Sequence, residues 1–319
     1  MATSRIDDLR IVDPVLTTLA QGFENPEFVA EHLFPTVKVS KLKGKIPFFG
    51  KDAFLVRSTD RAIRSQSNRI MPSDFELISF ETRERDIETA IDYLEEEETA
   101  DYFRYEQRVT KNLSDILKLG KEIEAAQLAQ DINNYSLDMY SELEEEDAFN
   151  NPDSSPLTII KNAMNSIRNK IARYPNTIVM GVEVFDALIR HKQLTDLVKY
   201  SGFASVSKEI IAKILNVDNI VVGMSVHTTD GTNFTDIWGN NMVLAYVDKS
   251  NKRSEYNPSY GYTFQREGMP EIDTYYENGG KIKVIRNTDN YGIVITAKDA
   301  AFFIKDAVQE LTVEENNNG

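Results

Sequence analysis

Between residues 37 and 69 the chain carries nine basic side chains: Lys38, Lys41, Lys43, Lys45, Lys51, Arg57, Arg61, Arg64 and Arg69. Only Asp52 and Asp60 oppose them, so the segment is +7 inside a chain of net charge −15. Its apolar residues are few, chiefly Ile46, Phe48, Phe49, Phe54 and Leu55. A stretch of this composition cannot bury a core of its own. It is either disordered or held by another surface. The region that follows is its electrostatic opposite. Residues 81–106 hold eleven acidic side chains against Arg83, Arg85 and Arg104, a balance of −8.

The flanking patterns say what carries these charges. Apolar and polar residues alternate through Phe75, Leu77 and Ser79, and again through Ile87, Thr89, Ile91 and Tyr93. A period of two is that of an extended strand. The basic segment is therefore expected to be the tip of a long excursion returning on a strand. From Thr99 to about Asp131 the spacing changes. Tyr102, Tyr105, Val109, Leu113, Ile116 and Ile123 recur at helical intervals, with Thr99 as N-cap. A helix of that length is far beyond the mean of ~11–12 residues and reads as a strut.

Downstream, the pattern predicts helix at 157–173, strand at 177–180 and one helix through Phe185, Leu188, Ile189 and Leu197. It predicts helix at 208–215, strand at 219–222, a turn on Asp230-Gly231 and strand at 242–247. Near the end, 272–276 and 282–286 flank Asn278-Gly279-Gly280 as a hairpin. A second turn is expected at Asp289-Asn290, then strand at 292–296 and a short helix at 298–308. The fold class is α+β. Hydrophobic residues make up 41% of the chain, enough for a real core.

A search for chemistry returns little. There is no cysteine, which removes disulfides, thiolate metal sites and a cysteine nucleophile together. Gly44–Lys51, GKIPFFGK, superficially has the look of a phosphate-binding loop. Its spacing is one residue too long, and Asp52 stands where Ser or Thr should coordinate magnesium. An extended basic strand is the better reading. His32, His191 and His227 lie far apart in sequence, so no local zinc pair exists. The Asp230 turn lacks the alternating acids and closing Glu of a calcium loop. The acidic runs 95–98 and 144–147 read as solvated faces rather than metal sites. A basic arm for single-stranded nucleic acid is disfavoured by the acidic segment beside it, which would compete. No cofactor is expected. The opening residues lack a charged segment before an apolar one, so no secretory signal is expected; nor does any apolar run match a membrane span.

The charge-complementary pair is what survives. A hairpin tip cannot easily fold back on the base of its own strut, whereas a neighbouring copy offers the same acidic surface. That is the logic of a repeating, heterologous contact. The residues expected to make it are Lys41, Lys43, Lys45, Lys51, Arg57, Arg61 and Arg64 on one side. Glu95, Glu96, Glu97 and Glu98 are expected on the other.

The order of elements resembles the major capsid protein of tailed double-stranded-DNA bacteriophages, of the Hong Kong phage type. Residues 12–54, VDPVLTTLAQGFENPEFVAEHLFPTVKVSKLKGKIPFFGKDAF, are similar to that family's arm and extended loop. NTIVMGVEVFDALIRH (176–191), DIWGNNMVLAYVD with NPSYGYTF (236–264) and GIVITAKDAAFFIKD (292–306) are similar to its axial entry, axial exit and closing elements. The resemblance implies an N-terminal arm (1–36) and an extended β-hairpin loop (37–93). It implies a peripheral domain (94–175) with spine helix 99–131, an axial domain (176–262) and peripheral return strands (263–319). It further implies a non-enzymatic protein that assembles as hexamers and pentamers into an icosahedral head around double-stranded DNA, without sequence-specific contacts. Implied partners are other copies, a scaffolding protein, a portal and a decoration protein. The implied location is the virion, with assembly in the host cytoplasm. Two rivals remain: an encapsulin-like compartment of the same fold, and a soluble metal-dependent hydrolase using the acidic runs.

Overall fold

The computed structural model describes residues 11–22, 27–47, 56, 59–61, 63–69, 77–98, 102–200, 206–248 and 258–309. Two sheets and one long helix organise it. The helix, α4 (Tyr102–Gln130), has 29 residues and is about 44 Å long. Residues 99–101 of the expected spine helix lie outside the described residues. A separate short helix, α3 (Tyr93–Glu98), precedes it; the expected N-cap, Thr99, lies outside the described residues.

The spine helix joins two hydrophobic cores. Near its start, Leu113 packs in a small core with Leu16, Ala20, Ile91, Ile272 and Ile285. Near its end, Ala125, Ala126 and Ala129 enter the main core. Alanine there lets the helix axis approach closely, since no long side chain intervenes.

The first sheet is built on one strand, β14 (Ile282–Ile295). On one side it pairs with β5 (Arg83–Asp92) over ten residue pairs. On the other it pairs with β13 (Glu271–Glu277), then β12 (Gly261–Arg266), both antiparallel. β12 and β13 thus lie end to end, interrupted at residues 267–270. The edges are filled by the arm: β1 (Ile11–Val12) on β13 and β2 (Thr36–Val39) on β12. Arm helices α1 (Pro14–Gly22) and α2 (Ala30–Leu33) lie between them. A two-stranded ribbon, β3 (Lys43–Pro47) with β4 (Leu77–Glu81), stands apart from this sheet.

The interruption explains a failed expectation. Asp289-Asn290 is no turn; it is the middle of β14. These residues face the gap between β12 and β13, where ladder partners are missing. Asp289 Oδ1 accepts from the Asn290 N–H (2.8 Å) and from Gln265 Nε2 (2.7 Å) instead. The bulging carbonyls are taken by the arm: Gln21 Nε2 donates to Gly268 and Pro270, and Lys38 Nζ to Met269.

The second sheet has the order β6-β15-β11-β7-β8. Its strands are β6 (Tyr140–Glu142), β7 (Thr177–Gly181), β8 (Asn219–Gly223), β11 (Met242–Ala245) and β15 (Ala301–Lys305). β7 and β11 are wholly buried, as their unbroken apolar runs require. Helices α5 (Pro156–Ile171), α6 (Val182–Arg190), α7 (Lys192–Tyr200) and α8 (Lys208–Leu215) surround it, and β9 (Val226–His227) with β10 (Thr235–Asp236) forms a small ribbon. Two expectations fail here. The C-terminal helix at 298–308 is a short 3-10 turn followed by β15. AFFIK is a buried strand, and the apolar run did not distinguish the two. The single helix through Leu197 breaks at His191, whose backbone is extended. Its Nδ1 accepts the Gln193 N–H (3.1 Å), capping α7, and its Nε2–H donates to the Asn151 carbonyl (3.1 Å).

One buried carboxylate ties these parts together. Glu122, on α4 and 2% exposed, accepts from the Val29 and Ala30 N–H groups at the start of α2, both at 2.9 Å. It also accepts from Trp238 Nε1 at 2.8 Å. Removing it orphans three buried donors at roughly 1–3 kcal/mol each. Glu122→Ala is therefore expected to destabilise the unassembled chain by about 3 kcal/mol or more in urea unfolding. Burial raises the Glu122 carboxyl above 4.5, outweighing the three hydrogen bonds that lower it. The folded chain thus binds this proton more tightly than the unfolded one. Its contribution is full below the unfolded pKa and is lost as pH rises through the folded value. The stability gap between wild type and Glu122→Gln is expected to narrow as pH rises above 4.5.

Candidate assembly surface

The basic ribbon is anchored at its base and exposed along its length. Lys43 faces Glu81 across the ladder, and Ile46 faces Ile78. Thr82 N–H donates to the Leu42 carbonyl at 2.8 Å. The Phe80 ring stacks on Phe264 of β12, with centroids 4.4 Å apart. Two glycines make this approach possible. A Cβ on Gly44 would sit 2.5 Å from the Phe80 ring, and one on Gly292 would sit 2.1 Å from the Glu81 carbonyl oxygen. The second clash is with backbone, so a side chain at position 292 would force Glu81 away from β14.

Beyond the base, the side chains face outward. Lys41, Lys43 and Lys45 are exposed. Further along, Arg61 donates to the Ser65 carbonyl (2.7 Å) and Asn68 to the Asp60 carbonyl (3.1 Å). Arg64 sits in the left-handed region at φ 69°, and Arg61 and Arg64 are exposed. Val56 and Ile63 are 96% and 93% exposed. Lys51 and Arg57 lie outside the described residues.

The acidic half is less uniform than its sequence. Lys43 Nζ meets Glu81 at 2.8 Å within the same ribbon, and that ammonium holds the Glu81 carboxyl below its ordinary range. Arg85 pairs with Glu124 of the spine (2.7 Å). Glu106 turns inward to a buried ion pair with Lys283 of β14. Glu88 accepts from the Tyr275 hydroxyl (3.0 Å). Glu95 is exposed on α3; the side chains of Glu96, Glu97 and Glu98 lie outside the described residues. The ten residues of β5 separate Glu81 from this helix, roughly 34 Å at strand rise. The fold thus brings Lys43 to Glu81, while Glu95 stands at the opposite end of β5 from that pair.

Glu122 is the functional-looking residue that the sequence reading passed over. The signal was present: it falls four and seven residues before Ala126 and Ala129, on the buried stripe of the helix. Among the described residues no group of three acidic or histidine side chains is placed to hold a metal ion, and no helix is long and apolar enough to cross a membrane.

Comparison with known proteins decides what this surface belongs to. The chain is 40% identical over 303 residues to the major capsid protein of Burkholderia phage BcepMu, covering 94% of this chain and 98% of that one. The chain belongs to the phage major capsid proteins. No family model matches it. The crystal structure of a phage-related protein from Bordetella bronchiseptica RB50 superimposes with a TM-score of 0.77 at 28% identity, covering 93% of this chain and 98% of that one. The capsid of cyanophage P-SCSP1u gives 0.57 at 10% identity over 89% of each chain; at that distance only the fold is shared. Capsid membership makes this a structural shell protein and not an enzyme, which removes the hydrolase reading. The phage relative likewise favours the capsid over a cellular compartment of the same fold.

The stack on Phe264 is what steadies the ribbon in an isolated chain, and such pairs contribute ~0.5–1.5 kcal/mol beyond area. Phe80→Ala is expected to speed amide exchange at 43–47 and 77–81 about tenfold, with little change in the global unfolding midpoint. Hydrogen exchange of the unassembled subunit would measure it.

Proposed function

We propose that this capsid protein assembles as hexamers and pentamers into an icosahedral head around double-stranded DNA. In this reading the basic ribbon of one subunit lies on the acidic α3 region of its neighbour. Lys41, Lys43, Lys45, Lys51, Arg57, Arg61 and Arg64 face Glu95, Glu96, Glu97 and Glu98 of the adjoining copy. The observation that carries it is the ribbon itself. It is a two-stranded sheet whose described contact with the body is at its base, and Val56 and Ile63, in the stretch between its strands, are almost wholly exposed. Two-stranded ribbons are marginal alone, and among the described residues nothing covers those side chains. A neighbour supplies both the cover and the opposite charge.

The element ranges follow the same reading: arm 1–36, extended loop 37–93, peripheral domain 94–175 and 263–319, axial domain 176–262. A net charge of −15 suits a container that must hold DNA without gripping it. Scaffolding protein, portal and a decoration protein are the other partners that the family resemblance supplies, with assembly in the host cytoplasm. Purified wild-type chain is expected to form shells visible by negative-stain microscopy. Reversing Lys41, Lys43 and Lys45 to Glu is expected to leave folded, unassembled subunits. Shells of unchanged yield from that triple variant would refute the contact.

A further inference from the structure

The second ribbon carries an independent signal. Its register sets Thr235 opposite His227 and Asp236 opposite Val226. Alternation along the strands then places Val226, Phe234 and Asp236 on one face. That face is apolar and open: Phe234 is 75% exposed and Val226 42%, and Met224, two residues before, is 53% exposed. Its tip is fixed. Asp230 accepts from the Thr232 and Asn233 N–H groups (both 2.8 Å), from Asn233 Nδ2 (2.8 Å) and from the Thr228 hydroxyl (3.0 Å). A large aromatic held at the end of a preorganised turn loses little entropy on docking.

The opposite feature exists elsewhere in the same chain. Between α5 and α7 lies a largely apolar groove of ≈ 500 Å³, walled by Leu157 and Leu197 with Lys161 and Gln193 at its rim. Asp196 also lines it but is paired with Lys199 at 3.5 Å. Charge divides the same way. Residues 214–248 contain Asp218, Asp230, Asp236 and Asp248 and no Lys or Arg, a balance of −4. Residues 156–200 contain seven Lys and Arg against Glu183, Asp186 and Asp196, a balance of +4. Lys161 and Lys192 are exposed beside the groove.

We propose that the apolar face of this ribbon docks on a second copy of the chain, with Phe234 seated in the α5–α7 groove and Asp236 facing Lys161. Knob and groove are different surfaces, so the contact is head-to-tail, and repetition of one such contact closes a ring. A buried aromatic anchor with a charged rim is the usual anatomy of a strong contact. The proposal rests on the shell reading and adds to it a second, separate contact that does not involve the basic ribbon.

The chain has no cysteine, so paired cysteines report this contact alone. Phe234→Cys with Leu197→Cys, oxidised after assembly, is expected to give a ladder of linked subunits on a non-reducing gel. Phe234→Ser is expected to cut shell yield about tenfold without moving the melting midpoint of the unassembled chain. Leu137→Ser, at a site 89% exposed, is the control and should assemble normally. Shells from the double-cysteine chain that yield no ladder, or only a link within one chain, overturn the proposal. So does full assembly of Phe234→Ser, which would leave that face to some other virion protein. Wild-type chain that never forms shells overturns the shell reading itself, and this contact with it.

Discussion

Three parts of the chain meet at one carboxylate. Glu122 receives the first free N–H groups of the arm helix, belongs to the spine, and holds the indole of Trp238 beside the second sheet. Each of those donors is buried, so each must find an acceptor on folding. In this arrangement of arm, spine and second sheet one acceptor satisfies all three. The geometry of the subunit is therefore fixed by a hydrogen-bonding requirement, while the two apolar cores at either end of the spine supply most of the driving force. A second polar joint reinforces it. Tyr135 donates to the Ala129 carbonyl (2.6 Å), and Tyr260 donates to Tyr135 (2.8 Å). Their rings lie among Phe34 and Phe303, so the arm, the spine's end and both sheets share one aromatic cluster.

The polar run in β14 follows the same rule. Residues 287–291, NTDNY, are all buried in the middle of a strand. Asp289 and Asn290 face the break in the neighbouring strand, where the Asp289 carboxylate takes up the Asn290 N–H and Gln265, while Asn287, Thr288 and Tyr291 stay laddered to β13 and β12. The arm then closes the break with Gln21 and Lys38. The arm is thus structural cement for the sheet as well as an appendage of it.

This explains what the sequence could and could not reveal. Strong periodicity exposed the spine, α5 and α8, because one face of each is apolar and the other is not; β7, β8 and β11 were legible as short apolar runs, whereas β6 and β15 of the same sheet were not. The charge split exposed the ribbon, because a +7 segment has no core to join. Asp289-Asn290 misled, since turn-forming residues and residues that replace a missing ladder have the same chemistry. AFFIK misled because a short, wholly apolar run has no period to read. The acidic segment misled in part: Glu106 looks like surface charge until Lys283 is placed beside it. Glu122 stayed hidden because its donors come from residues 92, 93 and 116 positions away.

The connection between ribbon and body has a mechanical consequence. The ribbon returns through Thr82 directly into β5, which is laddered to β14 along its whole length and then turns into α3 and the spine. A pull on the ribbon along its axis therefore loads β5 lengthwise. Antiparallel strands drawn past each other in this way bear the force on all their rungs together, instead of parting one rung at a time. Tension applied by a neighbour is spread over ten residue pairs before any of it reaches the helix.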